Sequence, residues 1–304
     1  MGTEINVVDG ELSFLGYRTW YQIHKPTDAT SNKLPLVVAH GGPGVPHNYL
    51  LSISDIASMG RPVIFYDQLG CGNSSHIPEA DPAFWTPELF RDELINLVES
   101  LPLCANGYHL LGQSWGGMLA QEFAFTQPER LHSLVLSNTT SSFPDFQEAA
   151  AKWIAALPKN VQEALQRHEI AQTYSDPEYR QACDVFYRRH VCRLEEYPKD
   201  VARSFELLDE DPTVYYTMNG PSEFHVIGTA RDWTSTGRLH LISSPTLLIC
   251  GRYDEAAPYI QEPLLKGING SRLHVFENSS HMPFWEERES YMELVENFIS
   301  NYDT

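Results

Sequence analysis

The sequence predicts an α/β fold, with a mostly parallel central sheet, helices on both faces and an inserted helical cap. Three observations carry this expectation. Continuous apolar runs recur at residues 34–39, 62–66, 108–111 and 245–250, each short and without alternation, as in strands buried on both faces. Helical patterns alternate with these runs, as parallel pairing requires. The alternation stops near Ser141, gives way to mostly helical pattern, and resumes at Pro245.

Taken in chain order, residues 5–8 and 11–23 alternate around Asp9-Gly10 and Gly16, as a hairpin does. Residues 34–39 and 62–66 read as buried strands. A helix follows at 87–101, with Thr86 as its N-cap and with Glu88 and Glu93 favoured near its positive end. The strand at 108–111 runs into Gly112-Gln113-Ser114-Trp115-Gly116, and helical pattern continues to residue 126. A strand at 133–136 comes next. Helical stretches then follow at 146–157, 161–174, 177–194 and 199–208. Pro158, Pro177, Pro198 and Pro212 mark breaks between them, because proline cannot continue a helix from within. Strands at 245–250 and 272–276 restore the sheet, and an amphipathic helix at 287–299 ends it. Residues 1–140 and 241–304 therefore read as the core. Residues 141–240 read as a cap over the carboxyl edge, where ligands bind in such sheets.

Composition narrows the function. A net charge of -19 argues against nucleic acid and anionic membrane surfaces as partners. No apolar run approaches the length of a membrane span. The start, from Met1 to Asn6, lacks the basic and apolar regions of a signal peptide, and Asn6 stands where a myristoylation pattern has Ser or Thr. Cys71, Cys104, Cys183, Cys192 and Cys250 are odd in number and lack paired spacing. They suit reduced thiols in a cytoplasmic protein and offer no zinc site, so no metal or other cofactor is expected.

Gly112-Gln113-Ser114-Trp115-Gly116 is a serine between glycines at a strand-to-helix turn. Small flanking residues let the backbone turn sharply and hold the hydroxyl out from the sheet, the context a nucleophilic serine requires. A serine hydroxyl is weak at neutral pH, so it needs a base, and the base needs an orienting carboxylate. Asp254 follows the strand at 245–250 and His281 follows the strand at 272–276. Both are expected at the same edge as Ser114, in the chain order serine, acid, histidine. An oxyanion hole needs two backbone N–H donors. Trp115 supplies one, and Gly42 supplies the other from the loop His40-Gly41-Gly42-Pro43-Gly44. A phosphate-binding reading of that loop lacks the lysine-containing pattern it would need.

His40-Gly41-Gly42-Pro43-Gly44, the stretch Tyr66-Asp67-Gln68-Leu69-Gly70-Cys71-Gly72-Asn73-Ser74, and the serine turn together resemble the proline iminopeptidase family of α/β-hydrolases. The segments around Met218-Asn219-Gly220-Pro221-Ser222-Glu223-Phe224 and Gly228-Thr229-Ala230-Arg231-Asp232-Trp233 are similar to the archaeal tricorn-interacting aminopeptidase within it. The resemblance spans nearly the whole chain. It implies the α/β-hydrolase fold and a small peptide or amino-acid amide as substrate. It also implies that Glu223 and Glu255 hold the substrate's α-ammonium, with Tyr215 lining the amine site. Physically, a buried cation must be paired, and hydrogen bonds between ionised groups are the strong ones. Val45-Pro46-His47 and Gln113 depart from the family's glycines, which bears on the pocket wall rather than on hydrolysis.

The leading expectation is a serine hydrolase that cleaves the N-terminal residue from short peptides or amino-acid amides. A second is an amidase or esterase acting on a small amino-acid-derived or biosynthetic intermediate. A third, of another class, is a ligand-binding receptor with little turnover, since a fold and even a site do not fix a role.

Overall fold

The computed structural model describes residues 4–27 and 32–303. Met1, Gly2 and Thr3, on which the targeting expectation partly rests, lie outside the described residues. Eight strands form one sheet: β1 (Ile5–Phe14), β2 (Tyr17–Pro26), β3 (Leu36–Ala39), β4 (Val63–Tyr66), β5 (Tyr108–Gln113), β6 (Leu131–Ser137), β7 (Thr246–Gly251) and β8 (Arg272–Phe276). Their order is β1-β2-β4-β3-β5-β6-β7-β8. Pairing is antiparallel for β1 with β2 and β2 with β4, and parallel elsewhere. Every residue of β3, β4, β5 and β7 is buried, which is why those segments read as continuous apolar runs.

The hairpin differs from the sequence expectation. Asp9-Gly10 does not turn; it lies within β1, where Gly10 faces Tyr21 and the ring fills the space a Cβ would need. The turn is Leu15-Gly16, with φ of 53° and 83°, the left-handed pair that a two-residue hairpin demands.

The helices are α1 (Asp55–Ser58), α2 (Pro87–Ser100), α3 (Trp115–Ala124), α4 (Phe143–Ala155), α5 (Lys159–Ala171), α6 (Pro177–His190), α7 (Lys199–Glu210), α8 (Thr213–Met218), α9 (Glu262–Gly267), α10 (Pro283–Glu286) and α11 (Arg288–Ile299). Side chains alternate between two cores, one on each face of the sheet. Val37, Ile64, Leu110, Leu134 and Leu248 pack with Phe90 and Leu94 of α2 and with Met118 and Phe123 of α3. Val38, Phe65, Leu111, Val135 and Ile249 pack with Tyr291, Met292 and Val295 of α11. The five helices α4 to α8 all lie between β6 and β7, and part of this insertion has a core of its own around Leu165, Tyr179 and Phe186.

Thr86 caps α2 as expected, its hydroxyl accepting from Leu89 N–H at 3.2 Å. Glu93 does not face solvent near the helix start. It is fully buried and accepts from Thr19 Oγ1 at 2.5 Å and from Leu69 N–H at 3.1 Å. Burial outweighs these bonds and pushes its pKa up to about 8. Among the described residues, no helix is long and apolar enough to cross a membrane.

Candidate active site

Ser114 stands at the junction of β5 and α3 with φ 56° and ψ −123°, a conformation that costs energy for any residue with a Cβ. Close packing forces it. A Cβ on Gly116 would lie 2.6 Å from His40 O, and one on Gly112 would collide with the Gly116 carbonyl. The glycines thus let α3 start directly against β3 and β5. The Ser114 amide is tied to Ser137 O at 3.0 Å, and its carbonyl accepts from Thr139 Oγ1 at 2.7 Å. Among the described residues its hydroxyl makes no hydrogen bond, and it opens into a cavity also lined by Tyr49, Val191 and Met282.

Asp254, after β7, is completely buried and satisfied by three donors. Oδ1 takes His281 Nδ1–H at 2.7 Å and Ala256 N–H at 2.9 Å, and Oδ2 takes Asn138 Nδ2–H at 2.6 Å. The carboxylate fixes the His281 tautomer, which leaves Nε2 as the nitrogen free for the cavity. His281 and Ser114 line that cavity together. Burial opposes a charged imidazole, but the carboxylates of Asp254, Glu255 and Glu223 outweigh it and hold the His281 pKa up at about 9.

Gly42 and Trp115 also flank this point. Gly42 lines the cavity with φ 109°, and a Cβ there would sit 2.6 Å from the amide nitrogens of Gly44 and Val45. Trp115 is the first residue of α3. Neither amide has an acceptor among the described residues, so both N–H groups are available to a ligand. The loop carrying Gly42 is anchored by His40. Its Nδ1 donates to Gly41 O at 3.0 Å, and its Nε2 accepts from Gln68 N–H at 2.9 Å. Burial pushes His40 down to about 4, so it stays neutral and keeps both bonds.

Glu223 and Glu255 line the same cavity from different directions, Glu223 from the insertion after α8 and Glu255 from the loop after β7. Tyr215 OH donates to Glu223 Oε1 at 2.7 Å, which brings together the three residues expected at an amine site. Glu255 Oε1 lies 3.5 Å from His281 Nε2, whereas Glu255 Oε2 is buried with no partner among the described residues. Burial raises the pKa of both glutamates, and the nearby Glu223 and Asp254 charges raise that of Glu255 further, while His281 opposes the rise in each. Among the described residues no lysine or arginine lines the cavity. A second cavity of about 850 Å³, walled by Tyr174, Tyr179, Tyr187, Tyr197, Tyr215 and Tyr216, adjoins it through Glu223 and Phe205.

Several site residues escaped the sequence reading. Asn138, with φ 52°, holds Asp254, and the polar run Asn138-Thr139-Thr140-Ser141-Ser142 after β6 was the available signal. Glu286 accepts from Ser280 N–H at 2.7 Å and so braces the loop before His281. Tyr49 links opposite walls: its oxygen accepts from Gly41 N–H at 2.6 Å and donates to Gln113 Oε1 at 2.5 Å. Gln113 Nε2 in turn donates to His281 O at 3.3 Å. No local pattern marks Tyr49, because its bond to Gln113 joins residues 64 apart in the chain. The fold also brings His40, Asp67 and Cys71 together, and His168, Asp176 and Glu178, at distances compatible with a shared ion. In the first group each ligand atom already has a protein partner.

A family model described as the alpha/beta hydrolase fold matches residues 35–288. Proline iminopeptidase of Saccharolobus solfataricus is 38% identical over 98% of this chain and 94% of its own length. Proline iminopeptidase of Thermoplasma volcanium is 36% identical over 96% of each. The crystal structure of proline iminopeptidase from Mycobacterium smegmatis superposes with a TM-score of 0.91 at 45% identity, covering 97% of this chain and 99% of that one. The crystal structure of VinJ gives a TM-score of 0.94 at 44% identity with the same coverage. This chain is a hydrolytic enzyme and belongs to the proline iminopeptidase family of α/β-hydrolases.

Proposed function

We propose that the protein is an aminopeptidase that removes the N-terminal residue from short peptides or amino-acid amides through a Ser114 acyl-enzyme. The observation that carries this reading is the pair Glu223 and Glu255 beside Ser114, in a wall where, among the described residues, no lysine or arginine stands and Glu255 Oε2 has no partner. A buried carboxylate oxygen without a donor is costly, and a substrate ammonium removes that cost. An ammonium held there puts the adjacent carbonyl, that of the first residue, within reach of Ser114.

In this mechanism Ser114 Oγ attacks the carbonyl while His281 Nε2 takes its proton, and Asp254 stabilises the imidazolium. The Gly42 and Trp115 N–H groups receive the negative charge that develops on the carbonyl oxygen. His281 then gives the proton to the departing amine nitrogen, the C–N bond breaks, and water releases the acyl group by the same steps. Residues 141–240 act as a cap that closes the site and contributes Glu223. The relatives named proline iminopeptidase support peptide chemistry, with proline or a broader set of first residues.

Turnover of unblocked and N-acetylated aminoacyl p-nitroanilides tests the reading. Cleavage of the unblocked series alone is expected. Equal cleavage of both series would instead assign a general amidase or esterase, and binding without turnover would assign a receptor.

A further inference from the structure

We infer that Glu255 has a second role: in the empty site it holds the proton on His281 Nε2, so that entry of the substrate ammonium expels that proton and switches the base on. The inference rests on the amine-site reading above and extends it to the control of the base. Three features of the geometry carry it. His281 Nε2, the nitrogen that must face the serine, points to within 3.5 Å of Glu255 Oε1. Among the described residues the Ser114 hydroxyl makes no hydrogen bond, and Glu255 Oε1 is the carboxylate oxygen within ion-pair distance of Nε2 when the imidazole is protonated. The other oxygen of the same carboxylate, Glu255 Oε2, is buried and has no partner among the described residues, which leaves it for the incoming cation.

The surrounding charge has one sign. Asp254 meets His281 at Nδ1, Glu255 at Nε2, and Glu223 acts across the cavity. Glu286 braces the neighbouring Ser280, His190 is tied through Nδ1 to Tyr253 O, and Tyr49 and Tyr215 complete the titratable neighbours. In the empty site the imidazolium is the cation these carboxylates have, and its pKa is raised accordingly. An ammonium placed against Glu255 and Glu223 reverses this balance. It neutralises the carboxylates that favoured the imidazolium and adds a like charge beside it, and both effects lower the affinity of Nε2 for its proton. With Glu223 and Glu255 ionised beside the imidazolium, one cation enters and one proton leaves to solvent, so the charge of the cluster is unchanged. A ligand without the ammonium leaves His281 protonated and unable to accept the Ser114 proton. Selection for a free N-terminus then operates twice, in binding and in activation of the base.

The test is the imidazole titration of His281, read by NMR in ¹⁵N-histidine-labelled Ser114→Ala protein. It is recorded empty, with saturating L-prolinamide, and with N-acetyl-L-prolinamide. The empty protein is expected to titrate near 9. L-Prolinamide is expected to lower this by at least about one pH unit, a tenfold loss of proton affinity, and the acetylated compound to leave it in place. Glu255→Gln in the same background is expected to titrate below the empty unsubstituted protein and to respond less to L-prolinamide. If L-prolinamide binds and the His281 titration does not move, this inference is overturned while the amine site stands. If L-prolinamide binds no better than its acetylated form, the amine site itself fails and the inference with it. The unsubstituted comparison decides the matter even if Glu255→Gln does not fold.

Discussion

Glu223→Gln is the sharpest probe of the proposed amine site. The substitution keeps the side chain's size and one carbonyl oxygen, so Tyr215 OH retains an acceptor where it now donates at 2.7 Å. What it removes is the charge. Breaking one partner of a desolvated charged pair costs roughly 2–5 kcal/mol. Glu255 lines the same cavity and still faces the ammonium, so the lower part of that range applies. A cost of about 2–3 kcal/mol corresponds to about a 30- to 150-fold fall in kcat/KM for an unblocked aminoacyl p-nitroanilide. Part of it should appear in kcat, because the ammonium positions the scissile bond as well as holding the substrate. The control is p-nitrophenyl acetate, which has no ammonium; its hydrolysis, compared above pH 9 where His281 is unprotonated without a bound cation, should stay near the wild-type rate. Equal losses on both substrates would mean general damage to the site. No loss on either would return Glu223 to an ordinary cavity acid and refute the reasoning.

Four further outcomes are expected. Ser114→Ala should lower turnover by on the order of a thousandfold or more without loss of fold, as seen by kinetics and circular dichroism. Asp254→Asn and His281→Ala should each lower kcat strongly, and the double variant should be little worse than the poorer single one; multiplicative losses would separate the two residues mechanistically. Tyr49→Phe leaves the Gly41 N–H and the Gln113 amide oxygen without their present partners. Each buried orphan costs about 1–3 kcal/mol, so Tm should fall and kcat should drop on amide and ester alike; an unchanged Tm would remove Tyr49 as a strut. Glu93 has a folded-state pKa raised to about 8, so its contribution to stability is full below the ordinary carboxylate range and is lost as pH rises through about 8. The urea midpoint of wild type relative to Glu93→Gln should therefore decline across that window, and a difference independent of pH would contradict the assignment.

The sequence by itself determined the sheet and the positions of most strands, because a strand buried on both faces must be apolar throughout, and residues 36–39, 63–66, 108–113 and 246–251 are fully buried. It also located Ser114, since a hydroxyl on a strand-to-helix turn needs glycines within a few residues of it, and local constraints leave local marks. The order and strand-end positions of Asp254 and His281 were legible for the same reason. Where local signals misled, tertiary packing was the cause. Asp9-Gly10 looks like a turn but lies in β1 under the Tyr21 ring, and Glu93 looks like a helix-start acid but is buried against Thr19 and Leu69. Only the tertiary structure decided which distant residues meet. Asn138 on Asp254, Tyr49 between Gly41 and Gln113, and Glu286 on Ser280 join segments far apart in the chain or pack across a loop. It also decided the electrostatics of the site. Glu223 and Glu255 are two among 40 acidic residues in the sequence, and only the family resemblance of their segments, not local chemistry, set them apart. Folding places both around one cavity with His281, Glu255 buried and Glu223 partly buried, and among the described residues leaves Glu255 Oε2 without a partner. Burial and proximity are properties of three-dimensional distance, and electrostatic energy depends on that distance rather than on separation along the chain.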